Sequence, residues 1–94
     1  MRATRKGDEN TGHDFCPPSK LVEGSNDVFI NGRNAGRTGD SYEPHECGIH
    51  RPHVGYIASG SDSVYINRRG AGREGDAVSC GGTAAESSPD VYIG

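Results

Sequence analysis

The chain has 94 residues, enough for one small domain, and only 31% of them are hydrophobic, with 15 glycines and no tryptophan. Domains this small seldom bury enough apolar surface and usually need a disulfide, a bound metal or a partner. The net charge of −3 argues against nucleic acid as a partner. No window approaches the roughly 18 apolar residues of a membrane span, and no apolar stretch follows Met1–Lys6, so we expect a protein made in the cytoplasm without a signal peptide.

Glycine and proline interrupt the chain too often for helices. No stretch of about 12 residues keeps the 3.6-residue apolar period that an amphipathic helix requires. Short triplets rich in β-branched and aromatic residues remain between the turn signals. We therefore predict an all-β fold.

Segments 24–40 and 60–76 repeat one another. Each begins with Gly-Ser, continues with an apolar triplet and Asn, and ends in Arg-x-Gly-Asp. Within a triplet, the Val and Ile side chains should point to one side and the aromatic ring to the other. Asn31-Gly32 after the first triplet is a hairpin signal, whereas Asn67-Arg68 after the second is a weaker one.

A third copy is divided between the ends of the chain. Residues 88–94 supply its strand half, and residues 5–8 supply its Arg-x-Gly-Asp half. This arrangement predicts one domain over residues 1–94, in which the termini meet and the strands surround a pseudo-threefold axis. We interpret the Arg-x-Gly-Asp tails as turns with a local ion pair rather than as adhesion or catalytic motifs.

A soft metal ligand follows each Gly-Asp pair at a similar distance: His13, His45 and Cys80. Equivalent places around an axis would bring the three side chains together. A structural zinc site needs four nitrogen or sulfur ligands, so one more must come from outside the repeat pattern. We predict His53 in this place, with His50 as the alternative. The site would bind one zinc ion per chain, with iron as the alternative.

The other two cysteines, Cys16 and Cys47, lie close in sequence to His13 and His45. Three interpretations stay open: buried thiols that support the metal ligands, a disulfide between the two, or alternative ligands.

Several of these motifs together resemble the PAAR-repeat proteins. They are Gly12-His13, Pro44-His45-x-Cys47, His53-x-Gly55, the two Ala-Gly-Arg tails and Cys80-Gly-Gly, and they fall in the family's order from about residue 6 to residue 94. The eponymous Pro-Ala-Ala-Arg is replaced by Asn34-Ala35-Gly36-Arg37 and by Gly70-Ala71-Gly72-Arg73.

The resemblance implies a small conical domain with a metal bound near its apex by three histidines and one cysteine. It also implies a non-enzymatic cap on the trimeric β-helix spike of a contractile injection machine, such as a type VI secretion system or a phage tail. One cap would bind each spike trimer without forming a homo-oligomer, would contact the target membrane transiently and could carry an effector. The alternative functions are a free-standing metal-binding module and, least favoured, a zinc-dependent hydrolase with Glu46 as its base.

Overall fold

The computed structural model describes residues 1–12, 16–44 and 53–94. These residues form a small domain with no helix and only short antiparallel strands, so the predicted all-β class is confirmed. The described part of the chain accordingly offers no helix long and apolar enough to cross a membrane. The named strands are β1 (Phe29–Ile30), β2 (Arg33–Asn34), β3 (Tyr65–Ile66) and β4 (Arg69–Gly70).

Two hairpins, β1–β2 and β3–β4, occupy the same places in the two complete repeats. Their two-residue turns have positive φ at both positions: 53° at Asn31, 76° at Gly32, 53° at Asn67 and 68° at Arg68. This is the geometry of the turn that suits the right-handed twist of a hairpin. The weaker Asn67-Arg68 signal therefore forms the same turn as Asn31-Gly32, although Arg68 must adopt a backbone conformation that glycine enters more easily.

The chain termini replace the turn in the third copy. Arg2 pairs with Tyr92 in an antiparallel bridge, and the Ile93 amide donates a 2.7 Å hydrogen bond to the Met1 carbonyl. The Ala3 amide donates to the Val91 carbonyl, as Ala35 does to Val28 and Ala71 does to Val64. The termini thus lie side by side, as expected from the split third copy.

Equivalent small and branched residues from the three copies form one apolar cluster. Each copy contributes one fully buried alanine and one isoleucine no more than 8% exposed: Ala3, Ala35, Ala71, Ile30, Ile66 and Ile93. The isoleucines precede the turns or, in the third copy, the chain end. The cluster accounts for the isoleucine of every triplet, which faces inward while the ring does not. Of the valines, Val91 packs against the cluster, whereas Val28 and Val64 are 36% and 37% exposed.

The three copies meet in a closed ring of main-chain hydrogen bonds. The amides of Gly36, Gly72 and Thr4 donate to the carbonyls of Thr4, Gly36 and Gly72, at 3.0, 2.9 and 3.1 Å. The backbones approach so closely that a Cβ atom on Gly72 would lie 3.0 Å from Thr4 Cγ2. The ring has room for only one side chain, that of Thr4, and the other two ring residues are glycines.

A second apolar cluster lies beyond the Arg-x-Gly-Asp turns. It contains Leu21, Tyr42, Ile57 and Val78, with Cys80 packed against it. Antiparallel bridges join Leu21 to Tyr42 and Ile57 to Val78. Burial raises the pKa of the Tyr42 hydroxyl well above its ordinary value, and within the described residues this hydroxyl has no hydrogen-bond partner.

The Arg-x-Gly-Asp tails are turns closed by ion pairs, which confirms the structural interpretation of this motif. In each copy the arginine amide donates to its aspartate at 2.8 Å, and the guanidinium makes two further bonds to the same carboxylate. The three carboxylates, Asp8, Asp40 and Asp76, are at most 4% exposed. Each charge is therefore buried only together with its partner, as burial of an ion requires.

Substitution of Gly36 tests the close approach at the ring. A Cβ atom there would lie 2.9 Å from Leu21 Cδ2 and 3.0 Å from Thr4 Cγ2. We expect Gly36→Ala to lower the free energy of unfolding by about 1–3 kcal/mol, the usual cost of overpacking. Urea unfolding measures it. The control is Gly32→Asn, because a Cβ there meets nothing within 4 Å and asparagine tolerates a φ of 76° better than most side chains. It should lower stability less than Gly36→Ala. Equal stability of Gly36→Ala and the wild-type protein would contradict this account.

Candidate functional site

Cys80 lies at the end of the domain beyond the second apolar cluster, next to the segment that follows His53. A Cβ atom added to Gly55 would lie only 2.8 Å from Cys80 Sγ, so the absence of a side chain at residue 55 makes room for the thiol. The two segments are held together by the Ser79 amide, which donates to the Tyr56 carbonyl at 2.9 Å. Partial burial raises the pKa of the Cys80 thiol. Without a metal the neutral thiol is favoured, which does not suit a nucleophile.

The segments leading to the other predicted ligands reach the same end. The Thr11 amide donates to the Thr83 carbonyl, shortly before His13, and the Glu43 amide donates to the Lys20 carbonyl, shortly before His45. The Tyr42 amide donates to the Gly55 carbonyl at 2.8 Å. Gly12, Pro44, Gly55 and Cys80 therefore define one end of the domain, which we call the ligand end.

Of the predicted ligands, His53 and Cys80 are described, and both are partly buried. His13, His45 and the alternative His50 lie outside the described residues, as does Glu46. Residues 1–12, 16–44 and 53–94 contain no group of three or more side chains able to hold a metal. The four-ligand site therefore stays a prediction.

The described donors nevertheless fit zinc. A free thiol and an imidazole are ligands that structural zinc sites use, and the thiol lies in a space that a larger residue 55 would fill. Cys16, in contrast, is bonded in a disulfide. For Cys16, the structure therefore supports the disulfide among the three interpretations. Cys47 lies outside the described residues.

The opposite end carries three exposed aromatic side chains from the three copies. Phe29, Tyr65 and Tyr92 are 55%, 61% and 67% exposed. We call these three residues the aromatic edge. Their equivalence follows from the repeat, and their exposure follows from alternation along the strand, which turns each neighbouring isoleucine inward.

The aromatic edge also has main-chain groups without a partner among the residues that the structure describes, as Tyr92 shows. Tyr92 lies between two hydrogen-bonded pairs: the Ala3 amide donates to the Val91 carbonyl, and Met1 and Ile93 donate to each other's carbonyls. In an antiparallel ladder such an intermediate residue turns its own N–H and C=O away from its partner strand. Phe29 and Tyr65 occupy the same register opposite Asn34 and Gly70. Each copy therefore presents one open strand edge.

A polar network supports each corner of the aromatic edge. Asn67 Nδ2 donates to Asp27 at 2.9 Å, while Asn67 Oδ1 accepts from Arg37 at 3.0 Å and from Ser25 at 2.6 Å. The buried Ser25 hydroxyl also accepts from the Val28 amide and so fixes the start of the strand. The sequence analysis did not identify this network, although a serine three residues before the valine of every triplet was its visible signal.

The network recurs at the second corner and is incomplete at the third. Asn31 Nδ2 donates to Asp90 at 2.9 Å, and Asn31 Oδ1 accepts from Arg5 and Ser88. At the third corner Gly94 occupies the place of the asparagine, and its carbonyl accepts from Arg73 at 2.9 Å and Ser61 at 2.5 Å. The Gly94 carbonyl thus replaces the asparagine Oδ1 as acceptor, and among the described residues no group replaces the asparagine Nδ2 as donor.

Comparison of the chain with protein-family models gives no match, and comparison with curated proteins gives none either. The resemblance to PAAR-repeat proteins thus depends on the motifs themselves.

The corner network predicts site-specific titration. Hydrogen bonds from Asn67 and Ser25 lower the pKa of Asp27 below its ordinary 3.8, and those from Asn31 and Ser88 lower the pKa of Asp90. We expect Asn67→Ala to raise the pKa of Asp27 while Asp90 keeps its value, and Asn31→Ala to do the reverse. Carboxyl NMR titration measures both. Equal shifts at both aspartates in either variant would refute the assignment.

The depressed pKa values also fix the direction of the pH effect on stability. A carboxyl whose folded pKa lies below its unfolded pKa stabilises the fold above the unfolded value, near 3.8 here. This contribution is lost as the pH falls through the folded pKa. Asn67→Ala should therefore reduce the difference in stability between pH 7 and acidic solution.

Proposed function

We propose that this protein is a non-enzymatic, metal-stabilised cap of the PAAR-repeat kind. It would close the blunt end of a trimeric β-helix spike and form the tip of a contractile injection machine. The observation that carries this proposal is the aromatic edge: three equivalent open strand edges contributed by one chain.

The geometry of this edge suits a threefold partner. A trimeric β-helix ends in three strands, one from each subunit, and each has its own unpaired main-chain groups. Phe29, Tyr65 and Tyr92 could each extend one of these strands by β-augmentation, with the exposed rings adding apolar contact. The closed ring of Thr4, Gly36 and Gly72 is consistent with a pseudo-threefold axis through the domain. The extents of 37 × 22 × 22 Å agree with an elongated cap of nearly equal width in both short directions.

The proposed metal would act as a structural staple at the ligand end. His13, His45, His53 and Cys80 would hold zinc, with iron as the alternative metal and His50 as the alternative to His53. A closed four-ligand site leaves no position for a reacting water, unlike a catalytic zinc site. Metal binding would then contribute directly to the free energy of folding, which two small apolar clusters supply only in part.

Metal content tests the staple. Protein purified without added metal should contain close to one equivalent of zinc or iron by elemental analysis. Cys80→Ala and His53→Ala should lose the metal and unfold at lower temperature, because the binding free energy is lost from the folded state. His50→Ala is the matched control and should keep its metal. Metal-free protein with unchanged thermal stability would exclude the staple.

Stoichiometry tests the cap. Mixed with the spike from the same genome, the protein should form a complex of one cap with one spike trimer, measured by light scattering coupled to chromatography. Main-chain pairing and apolar contact resist salt, so the complex should persist at about 1 M salt, where screening acts within about 3 Å. A complex of three caps with three spike chains, or dissociation in salt, would contradict the proposal.

Charge at the aromatic edge gives a finer test of the same complex. Tyr65→Glu should weaken spike binding, because the exposed ring would be replaced by a carboxylate that must lose water on docking. Tyr56→Glu is the control, since the Tyr56 side chain is also about half exposed. Tyr56 pairs with Ser41 in an antiparallel bridge and is not part of the aromatic edge. Equal binding by the two variants would place the contact elsewhere.

A further inference from the structure

A polar cavity opens on one side of the domain, where Lys6 of the third copy and Arg69 of the second copy meet residues of the first copy. Its volume is about 500 Å³, within the range of sites that bind small ligands or peptide side chains. Three cationic side chains and two carboxylates line it: Lys6, Arg37, Arg69, Glu23 and Asp40. The lining thus carries one positive charge in excess.

The two carboxylates already have partners. Asp40 accepts from Arg37 at 2.8 Å and from Arg69 at 3.0 Å. Glu23 accepts from the amide and the hydroxyl of Ser41, and these bonds lower its pKa. Asp40 is thus paired with cations, whereas Glu23 is held only by neutral donors and keeps its negative charge, which is included in the net charge of the lining. Among the described residues, neither carboxylate forms an ion pair with Lys6.

The Lys6 side chain is the group left over. Within the described residues its ammonium makes no hydrogen bond or ion pair, although its main-chain amide donates to the Asn34 carbonyl and its carbonyl accepts from Arg33. The fold therefore uses the backbone of Lys6 and leaves its charge available. The outer part of Arg69, whose side chain is 38% exposed, lines the same cavity.

The repeat shows that this charge is not a structural requirement. Thr38 and Glu74 occupy the place of Lys6 in the other two copies, so the fold accepts a neutral and an acidic side chain there. Met1 and Arg33 occupy the place of Arg69. The combination of an ammonium without a partner among the described residues, that of Lys6, with a second cation that is ion-paired but partly exposed, Arg69, is thus particular to this side of the domain.

We propose that this cavity binds a carboxylate side chain of an acidic peptide segment, by which a partner protein docks on the side of the domain. Lys6 and Arg69 would contact the carboxylate. The amides of Asn26 and Asn34, which also line the cavity, would contact the peptide main chain. One excess positive charge matches a monoanion, whereas a phosphate dianion would face the carboxylates of Glu23 and Asp40 at close range.

Fluorescence polarisation tests this site with the full chain alone, so the result is independent of the spike. The probe is a labelled, capped hexapeptide in which glutamate alternates with glycine, and its glutamine counterpart is the peptide control. Lys6→Gln should bind the acidic peptide about fivefold to tenfold more weakly, the loss expected for a charge-assisted contact in a partly exposed site. Lys20→Gln makes the same change of charge outside the cavity and should bind like the wild type.

Two further arms complete the experiment. Lys6→Arg should restore binding, and Lys6→Glu, which copies the residue found at position 74, should abolish it without loss of thermal stability. Inorganic phosphate should compete only weakly. The proposal fails if neither peptide binds, if the glutamine peptide binds equally well, if Lys6→Gln and Lys20→Gln have the same effect, or if phosphate binds more tightly than the peptide.

Discussion

The closed ring of hydrogen bonds among Thr4, Gly36 and Gly72 is the constraint on which the rest of the domain depends. Three backbones can meet this closely only where two of the three residues lack a Cβ atom. Once the backbones meet, the alanines that precede these ring residues are fully buried, and the isoleucines of the triplets pack on them. A chain with few large apolar residues thus obtains a core from small residues and close backbone contact rather than from bulky side chains.

Ion pairing within each Arg-x-Gly-Asp turn explains how the domain tolerates three buried carboxylates. Burying Asp8, Asp40 and Asp76 would cost several kcal/mol each if they were unpaired. Each one is instead held by its own arginine within the turn, and Asp8 and Asp40 each bind a second arginine, Arg33 and Arg69, at 3.0 Å. At Asp76 the corresponding place belongs to Met1, whose Cε lies beside Gly75. The third copy, divided between the termini, thus lacks both the second arginine and the hairpin turn that the other two copies have.

The local parts of this structure could be predicted from the sequence. The triplets, the Asn-Gly turn and the Arg-x-Gly-Asp ion pairs follow from residues close together in one repeat unit. The meeting of the termini follows from the division of the third copy between them. The corner network was missed because its partners, such as Ser25 and Asn67, come from different copies and meet only after the chain has closed. The burial of the Tyr42 hydroxyl was equally hidden, since its equivalents in the repeat are Asn10 and Val78. For the metal ligands, the structure brings His53 and Cys80 to one end, and the full set remains a prediction.

Departures from the repeat separate what the fold requires from what it permits. Residues that are alike in all three copies, such as the ion-paired arginines and the buried alanines, serve closure of the domain. Lys6, Thr38 and Glu74 differ at a place that faces solvent or the cavity, where packing imposes little. Buried positions can differ as well, as Tyr42, Asn10 and Val78 do. A threefold partner would contact only features that recur three times, whereas a partner that binds one side needs a feature that occurs once. The aromatic edge has the first property and the cavity has the second, so the two surfaces suit different kinds of partner.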